Sequence, residues 1–386
     1  MKKIVYGILG IFVLVIAAVI ALPFLVPAEK IKEELVLAVN DATGRTLAID
    51  GDFGVSVFPV LGLNASKVSF SNSPNSPNPN MATTDELTVE LDLLSLLSGQ
   101  IQVNTFILDK PVVFLEVEKN GEKNWEFSQS APQSSKPKES TDPSEKIADL
   151  GITDLNLGNV KIISGAITYI DRKANAQYEV TDVNLAVVLN GLDQPFKTTG
   201  NATWNGETLE LDTELGALRA VLENKETTLT AAIKSTKINA SYKGSLTSVT
   251  PLALLGKTDL KIPSVKNLTG WIGQPIDAKE NTFGALSING TIKINGSTYA
   301  FKEAELSFDK IKGKGDFKVD LGGKIPNLEG KLDLAALDVN PYLPKETQSE
   351  PKQKKEENAS KSEKWDSTPI DFSGLKAVYA KFELSV

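Results

Sequence analysis

The sequence of 386 residues contains no cysteine, no histidine and only two methionines. The absence of thiol and imidazole groups excludes a thiol nucleophile, a Ser-His catalytic arrangement, an iron–sulfur cluster and a conventional zinc site. Carboxylate chemistry and Ca²⁺ or Mg²⁺ binding remain open. Lys and Arg total 41 against 49 Asp and Glu, which gives a net charge of −8. We therefore expect no nucleic-acid partner.

Motifs that bind phosphate or metal are also missing. The sequence has neither G-x-G-x-x-G after a strand nor G-x-x-x-x-G-K-[ST]. Asp50-Gly51-Asp52 is similar to the start of a calcium loop, but the later ligand positions are apolar. We predict no catalytic residues, no cofactor and no metal, and hence no enzyme. A carboxylate-based hydrolase is the enzymatic alternative.

The N-terminus carries the longest apolar run of the chain. Lys2 and Lys3 precede 23 uncharged residues from Ile4 to Val26. At about 1.5 Å per residue, a helix of this run spans roughly 34 Å, which exceeds a hydrocarbon core of about 30 Å. The run is longer than the h-region of a cleaved signal peptide, the competing interpretation. It predicts a single-pass anchor with the two lysines in the cytoplasm and the body across the membrane.

A short helix and then many strands are predicted after the anchor. Apolar residues recur at helical spacing at Ile31, Leu35, Ala38, Val39 and Ala42, and Gly44 is placed to end this helix. The helix is expected either to lie near the membrane surface or to pack on the first strands. From Leu47 onward, alternation of apolar and polar residues predicts antiparallel strands with one apolar face.

Turn signals and leucine-rich stretches divide these strands. Asn-Gly pairs at 120–121, 205–206, 289–290 and 295–296 predict tight turns. Two stretches, 92–99 and 251–256, are rich in leucine and predict helical turns at the sheet edge.

Polar stretches at 71–80, 128–145 and 345–367 predict loops or linkers, because they lack the apolar surface that offsets the entropy of ordering. The predicted organisation is an anchor (1–27), an N-terminal helix with a first β segment (28–127), a disordered linker (128–146), a second β segment (147–344), a disordered linker (345–367) and the start of a third β segment (368–386).

Several short motifs resemble the AsmA family of bacterial envelope proteins. In chain order they are Thr43-Gly44-Arg45-Thr46-Leu47, Ile49-Asp50-Gly51, Phe58-Pro59, Leu96-Leu97-Ser98-Gly99, Asp109-Lys110-Pro111, Gly121-Glu122-Lys123-Asn124-Trp125, the segment 155–170, the segment 337–344 (LDVNPYLP), Trp365 and the segment 369–375 (PIDFSGL). Each motif alone is weak, but their common order covers nearly the whole chain. The family's C-terminal region extends beyond the position of Val386, so the resemblance implies a C-terminally truncated member.

The resemblance implies a single-pass protein of the bacterial inner membrane, with its N-terminus in the cytoplasm and its body in the periplasm. It implies a role in outer-membrane biogenesis and in the targeting of proteins and lipids to that membrane. Phospholipid and outer-membrane assembly proteins are the partners that it implies. The fold that we predict is mainly β: an N-terminal transmembrane helix followed by an elongated, curved antiparallel sheet that forms a groove, with few short helices.

A sheet with one apolar face must cover that face. It does so either by folding into a closed sandwich, which suits a structural scaffold that binds protein partners, or by forming a groove filled with lipid. Residues alone leave both open, and the resemblance favours the groove. Charged neighbours such as Glu86, Glu90, Asp182 and Lys318 are then expected to face solvent. The membrane anchor is assigned to Lys2, Lys3, Ile4 and Val26. The candidate groove lining is Leu87, Val89, Leu91, Val183, Leu185, Val187, Leu286, Ile288, Phe317 and Val319.

Overall fold

The structure is a computed structural model that describes residues 27–56, 60–92, 95, 101–127, 155–277, 279–338, 340–342 and 379–386. The predicted fold class is confirmed to the extent that the chain is mainly β, with mostly antiparallel strand pairs and few helices. Within these described ranges, no helix is long and apolar enough to cross a membrane. The predicted anchor, with Lys2, Lys3, Ile4 and Val26, lies outside them.

The first of two compact units contains the described residues up to Thr236 together with Ser245–Ser248. Its helices are α1 (Ala28–Thr43) and α2 (Leu218–Leu222). Its strands are β1 (Leu47–Ile49), β2 (Phe53–Ser56), β3 (Leu61–Ser71), β4 (Asn80–Leu91), β5 (Ile101–Asp109), β6 (Val112–Val117), β7 (Leu155–Asp171), β8 (Ala176–Asn190), β9 (Pro195–Trp204), β10 (Glu207–Ala217) and β11 (Thr227–Lys234).

The strands of the first unit pair mostly with their neighbours in the chain. Both β1 and β2 pair with β3, which pairs with β4, and β7 to β11 follow one another as antiparallel neighbours. The exception is the step to β7, where β5 and β6 lie end to end along this one strand and are parallel to it. Lys110 and Pro111 separate β5 from β6, and Pro111 has no N–H group for the ladder.

The second unit contains Lys237–Gly244 and the described residues from Val249 onward, so strand β12 (Asn239–Val249) is divided between the units. Its further strands are β13 (Leu252–Ile262), β14 (Leu286–Asn295), β15 (Thr298–Phe308), β16 (Ile311–Asp320), β17 (Asn327–Leu334) and β18 (Tyr379–Ser385). Helix α3 (Val265–Trp271) precedes β14, and a 3₁₀ turn covers Asn340–Tyr342. From β13 to β17 the neighbours are antiparallel, whereas β18 joins β17 in parallel.

Helix α1 begins and ends close to the predicted positions. Gly44 follows its last residue with φ 67°, and the Gly44 N–H donates to the Asn40 carbonyl at 2.7 Å. This is the left-handed C-terminal cap that glycine adopts readily. Leu35 packs on Ile49, so the alternative of packing on the first strands is the one observed. The predicted apolar face of this helix was partly wrong, because two of its residues, Ala38 and Ala42, are exposed.

Three of the four predicted Asn-Gly turns are confirmed. The pair at 205–206 joins β9 to β10, the pair at 295–296 joins β14 to β15, and the pair at 120–121 lies in the turn closed by the Val117–Lys123 bridge. The prediction for 289–290 was wrong, because β14 runs through both residues. Gly290 lies beside Ala304, where an added Cβ would come within 2.9 Å of the Ala304 Cα atom. The glycine therefore permits a close approach of two strands within the sheet.

The helical turn predicted at 251–256 was also wrong. Residues from Leu252 belong to β13, and Leu254 pairs with Ile294. Its partner strand determines this conformation, because the ladder to β14 supplies hydrogen bonds that a lone helical turn lacks. The other predicted helical turn, 92–99, and both disordered linkers lie largely or wholly outside the described residues. The predicted segment boundaries stay a prediction.

Candidate functional site

One face of the first unit carries three rows of apolar residues that run from strand to strand. Each row consists of residues paired directly in the strand register, so their side chains share one face of the sheet. The first row is Phe53, Ala65, Leu87, Leu108, Ile162, Leu185, Gly200, Leu211 and Ile233; the second is Val55, Leu63, Val89, Phe106, Val160, Val187, Thr198, Thr213 and Ala231; the third is Leu61, Leu91, Val103, Leu157, Leu189, Phe196, Leu215 and Leu229. We call these rows the first apolar face; none of their residues is charged.

The opposite face of the same strands carries the charged residues, together with some apolar ones such as Ile107 and Val188. Glu86 is exposed and pairs in register with Asp109, and Lys197 forms an ion pair of 3.0 Å with Glu214. Glu90 is half-buried and accepts a hydrogen bond from the Thr105 hydroxyl at 2.6 Å. The register thus places these charged residues on one side of the sheet and the three uncharged rows on the other.

Most residues of the first apolar face are half-buried rather than buried. Leu189 is fully buried, whereas Leu211 is 36 % exposed. The most closely packed region lies under α1, where Leu35 contacts the buried cluster of Ile49, Ala65 and Val68. The core of a closed sandwich buries its inward residues on both sheets. This face keeps a large apolar surface partly accessible beyond α1.

A line of residues with positive φ crosses the first unit. Lys67 in β3, Lys110 between β5 and β6, Ser164 in β7 and Asp182 in β8 have φ values of 46–50°. The register places Asp85 of β4 beside Lys110, and the two side chains form an ion pair of 3.1 Å. This contact and the neighbouring carboxylates raise the pKa of Lys110 above its ordinary value. Residues in this conformation are typical of bulges, which bend strands locally.

The apolar face continues past this line. An added Cβ at Gly165 would meet the Ile162 side chain at 2.9 Å, so the two positions point to the same side of β7. Gly165 pairs with Val183, a predicted groove residue that is 4 % exposed. Trp125 and Tyr178 flank Tyr169 farther along, each with its ring centroid 6.3 Å away. The far end of the face is therefore aromatic.

The second unit has an apolar face of its own. Its rows are Ile262, Leu286, Phe308 and Ile311; Leu260, Ile288, Leu306, Gly313 and Leu334; Gly256, Ile292, Phe301, Phe317, Gly330 and Phe382; and Leu254, Ile294, Tyr299, Val319, Leu328 and Ala380. We call these rows the second apolar face; they contain no charged residue. The Phe301 and Phe317 rings stack with centroids 4.7 Å apart. Lys318, on the opposite face, pairs with Glu329 at 3.2 Å.

The predicted groove residues thus fall on two faces. Leu87, Val89, Leu91, Val183, Leu185 and Val187 lie on the first, and Leu286, Ile288, Phe317 and Val319 lie on the second. Alternation within each strand identified them, but the sequence did not indicate their register partners. Phe106, Val160 and Ile162 were missed because strands β5 and β7 pair in parallel across a long gap in the chain. Whether these residues line a lipid groove is a separate question from their shared face.

The largest polar feature that sequence reasoning missed is a buried carboxylate in β6. Glu116 is 0 % exposed. Its Oε1 atom accepts hydrogen bonds from the Asn78 amide at 2.8 Å and the Arg172 guanidinium at 3.0 Å. Its Oε2 atom accepts from the Asn72 amide at 3.3 Å and from the Ser76 hydroxyl. Four donors, one of them the Arg172 cation, satisfy this charge, which compensates for the loss of water.

Asn124 completes this arrangement, which we call the Glu116 clamp. The Asn124 amide donates to the Phe114 carbonyl at 2.8 Å and to the Asn72 side-chain oxygen at 3.0 Å. The clamp therefore fixes the loop between β3 and β4 and the turn after β6. The sequence predicted a loop at 71–80, and the structure shows that polar side chains order it.

Two depressions are lined mostly by polar and charged residues of the strands. The larger has a volume of about 570 Å³ and is lined by residues of the second unit that include Lys261, Ser287, Ser307 and Lys312. Hydrogen bonds from Asn289 and Lys261 hold the pKa of Asp259, which also lines it, below its ordinary value. The smaller, of about 450 Å³, lies beside Thr199, Asn201 and Glu210 in the first unit. The described part of the chain contains no group of three or more acidic residues arranged to hold a metal ion.

Comparison with known proteins decides the family. The AsmA family matches residues 1–208, more than half of the 386 residues. The chain belongs to the AsmA family. No curated protein matches the chain at a significant level. Membership of the AsmA family suggests a role in the bacterial envelope and in outer-membrane biogenesis.

Three residues from the motifs that resemble the AsmA family have structural roles in the described part of the chain. Gly44 caps α1, and Asn124 belongs to the Glu116 clamp. In the later motif LDVNPYLP, the Tyr342 hydroxyl donates to Asp309 at 2.7 Å. These residues hold a helix end, a turn and a 3₁₀ turn in place.

Proposed function

We propose that this AsmA-family protein binds the acyl chains of phospholipid along its apolar faces and in this way contributes to outer-membrane biogenesis. The observation that carries the proposal is the first apolar face, whose registered rows run from β2 to β11 without a charged residue and remain mostly half-buried. A lipid site needs these two properties together, since the lining must be apolar and also accessible.

The free energy of transferring an acyl chain out of water supports a lipid as the occupant of this face. An acyl chain of roughly 16 methylenes loses about 13 kcal/mol when it is exposed to water, at about 0.8 kcal/mol for each CH₂ group. A continuous uncharged surface recovers much of this free energy. A single buried charge in the lining would oppose it, because an unpaired ion in an apolar environment is strongly disfavoured. The separation of charge onto the opposite face meets this requirement.

Membrane attachment is the second part of the proposal. The 23 uncharged residues from Ile4 to Val26, preceded by Lys2 and Lys3, support a single-pass anchor in the inner membrane with a periplasmic body. A reporter that is active only outside the cytoplasm, fused after Val386, tests this topology. Activity is expected, and recovery of a soluble mature chain that begins near Glu29 would contradict it.

A structural scaffold is the alternative function. The cluster of Ile49, Ala65 and Val68 under α1 favours it locally, because there the chain covers its own apolar surface. A scaffold predicts co-purifying protein partners, such as outer-membrane assembly proteins, and no bound phospholipid. The half-buried state of the remaining rows favours the lipid proposal.

A matched pair of substitutions tests the lipid proposal. Val187 lies on the first apolar face, whereas its neighbour Val188 lies on the opposite face and is 36 % exposed. The protein is extracted in detergent, and its bound phospholipid and thermal unfolding are measured together by native mass spectrometry and calorimetry. Val187→Asp is expected to remain folded, because water and lipid headgroups relieve the charge in an accessible groove, and to lose bound lipid. Val188→Asp is expected to keep both its fold and its lipid.

The same comparison is repeated at Val89→Asp with Thr88→Asp as its control, and at Val319→Asp. Variants on the apolar faces that all unfold, from a wild-type protein that carries no lipid, would contradict lipid binding and support the scaffold. Folded variants that keep wild-type lipid would show that lipid binds elsewhere.

A further inference from the structure

Three aromatic rings form a cluster at one end of the second apolar face. The Phe283 ring meets the Phe308 ring at 5.8 Å and the Tyr342 ring at 5.5 Å, both edge to face. The Phe308 and Tyr342 rings stack with centroids 5.5 Å apart. Such geometries are favourable for aromatic pairs beyond the area that they bury. We call these three residues the aromatic cap.

One carboxylate holds the cap together. Asp309 follows β15 directly and has φ 51°. Its Oδ2 atom accepts a hydrogen bond of 2.7 Å from the Tyr342 hydroxyl, and its Oδ1 atom accepts one of 2.8 Å from the Gly284 N–H. The 3₁₀ turn at Asn340–Tyr342 and the segment before β14 are therefore tied to the turn after β15.

The cap lies on the end row of the second apolar face. Phe308 belongs to the row that contains Ile262 and Leu286. Ile262 is 7 % exposed, and Leu334 in the adjacent row is 5 % exposed. Farther from the cap, the row that contains Val319 is half-buried. Buried residues also occur in the two rows beyond the cap, where Ile288 is 8 % and Ile292 9 % exposed.

We propose that the aromatic cap is the stop of the lipid path on the second unit, so that it limits the length of acyl chain that this face accepts, and that the Tyr342–Asp309 hydrogen bond keeps the stop closed. The inference rests on the proposed lipid function and adds a determinant of chain-length specificity to it. Rings that already fill the space above Phe308 exclude a hydrocarbon chain from the same position.

The test uses the full-length protein in detergent and vesicles of phosphatidylethanolamine and phosphatidylglycerol that carry a mixture of short and long acyl chains. Bound lipid is identified by mass spectrometry. Tyr342→Phe removes the hydroxyl and keeps the ring, and Phe283→Ala removes one wall of the cap. Loss of a hydrogen bond to a charged group is expected to raise cap opening about tenfold, which is measured as faster amide hydrogen exchange in 340–342. Both variants are expected to bind a larger share of long-chain lipid than the wild type.

Tyr379→Phe serves as the control, because Tyr379 is 60 % exposed on β18, away from the cap. It is expected to keep the wild-type chain-length distribution. If the wild type binds lipid and the cap variants show faster exchange with an unchanged distribution, the cap does not limit chain length. If exchange in 340–342 is unchanged in Tyr342→Phe, the hydrogen bond does not hold the cap. A wild type that binds no lipid would overturn the proposed function itself, together with this role of the cap.

Discussion

Asn124 and Glu116 are joined by two reciprocal hydrogen bonds. The Glu116 N–H donates to the Asn124 side-chain oxygen at 2.9 Å, and the Asn124 N–H donates to the Glu116 backbone carbonyl at 3.0 Å. Asn124 is 2 % exposed and Glu116 is fully buried. The reciprocal contact fixes the backbone of β6 against the turn that follows it. The Glu116 carboxylate is consequently presented to Arg172, which directly follows β7, and to donors from the loop after β3.

Glu116→Ala is expected to destabilise the first unit by roughly 3–5 kcal/mol, because it leaves Arg172 without its buried partner and removes an acceptor of the Asn72 and Asn78 amides. Glu214→Ala is the control, since Glu214 pairs with Lys197 at 3.0 Å with both side chains about half exposed. Exposed pairs contribute about 0–1 kcal/mol. Urea unfolding measures both changes in the free energy of unfolding. Equal losses in the two variants would show that the clamp contributes no more than a surface pair.

A second prediction concerns two strand glycines in different surroundings. A Cβ atom at Gly200 would lie 1.9 Å from the Asn184 carbonyl oxygen, whereas Gly54 has no atom within 4 Å of its would-be Cβ. Gly200→Ala is expected to force β8 and β9 apart and to cost about 1–3 kcal/mol of stability, in line with overpacking elsewhere. Gly54→Ala is expected to be neutral or slightly stabilising. Thermal unfolding of the two variants measures these changes in stability. A Gly200→Ala protein as stable as the wild type would refute the close approach of Gly200 to the Asn184 carbonyl.

A third prediction compares two leucines of α1. Leu35 packs on the buried cluster below the helix, and Leu37 is 57 % exposed. Leu35→Ala is expected to destabilise the first unit by about 1–3 kcal/mol, somewhat less than a fully buried leucine because Leu35 is half-buried. Leu37→Ala is expected to change stability by less than about 0.5 kcal/mol. Similar effects in chemical unfolding would indicate that α1 does not depend on packing against the strands.

The sequence indicated which residues share a strand face but not how strands are paired. Leu185 and Val187 stand two residues apart in a strand, so the period of two alone places them on one side of β8. Their partners, Ile162 and Val160, lie on β7, which joins β5 in parallel, and no local signal predicts a parallel pair. The face was therefore predictable strand by strand, whereas its continuity required the structure.

The wrong turn predictions have a similar cause. Asn289-Gly290 has the composition of a tight turn, but the ladders of β14 to its neighbours on both sides override this preference. Gly290 is there because its neighbour Ala304 leaves no room for a side chain. An Asn-Gly pair shows that the backbone can adopt a turn at this position. Only the neighbouring strands determine whether the glycine forms a turn or permits a close contact within a sheet.

The Glu116 clamp was not predictable for a different reason. Its donors, Asn72 and Asn78, lie in a stretch that reads as a polar loop, and its cation, Arg172, is far away in sequence. A single glutamate in a strand that is otherwise apolar does not indicate which donors will surround it. Such polar networks depend on the meeting of distant segments, which hydrophobic periodicity does not encode.

The last prediction is a pH dependence of the second unit that arises from Tyr342. Burial, together with the hydrogen bond to Asp309, raises the pKa of Tyr342 from its ordinary value of about 10 to about 12. The native state therefore favours the protonated phenol more than the unfolded state does. By linkage, the resulting stability is fully present below pH 10 and is lost progressively as the pH rises from about 10 to about 12. Ionised Tyr342 can no longer donate its hydrogen bond to Asp309, and the two negative charges repel each other. The aromatic cap is therefore expected to open in this pH range.

The measurement is the thermal unfolding midpoint of the full-length protein between pH 8 and pH 12, compared among the wild type, Tyr342→Phe and Tyr379→Phe. Lysines also lose their protons here, so the informative quantity is the difference from the wild type at each pH. Tyr342→Phe is expected to be less stable than the wild type at pH 8 and to approach it near pH 12, because only the wild type loses this contribution. Tyr379→Phe is expected to follow the wild type throughout. A constant difference between Tyr342→Phe and the wild type across the range would show that the Tyr342 proton does not contribute to the stability of the cap.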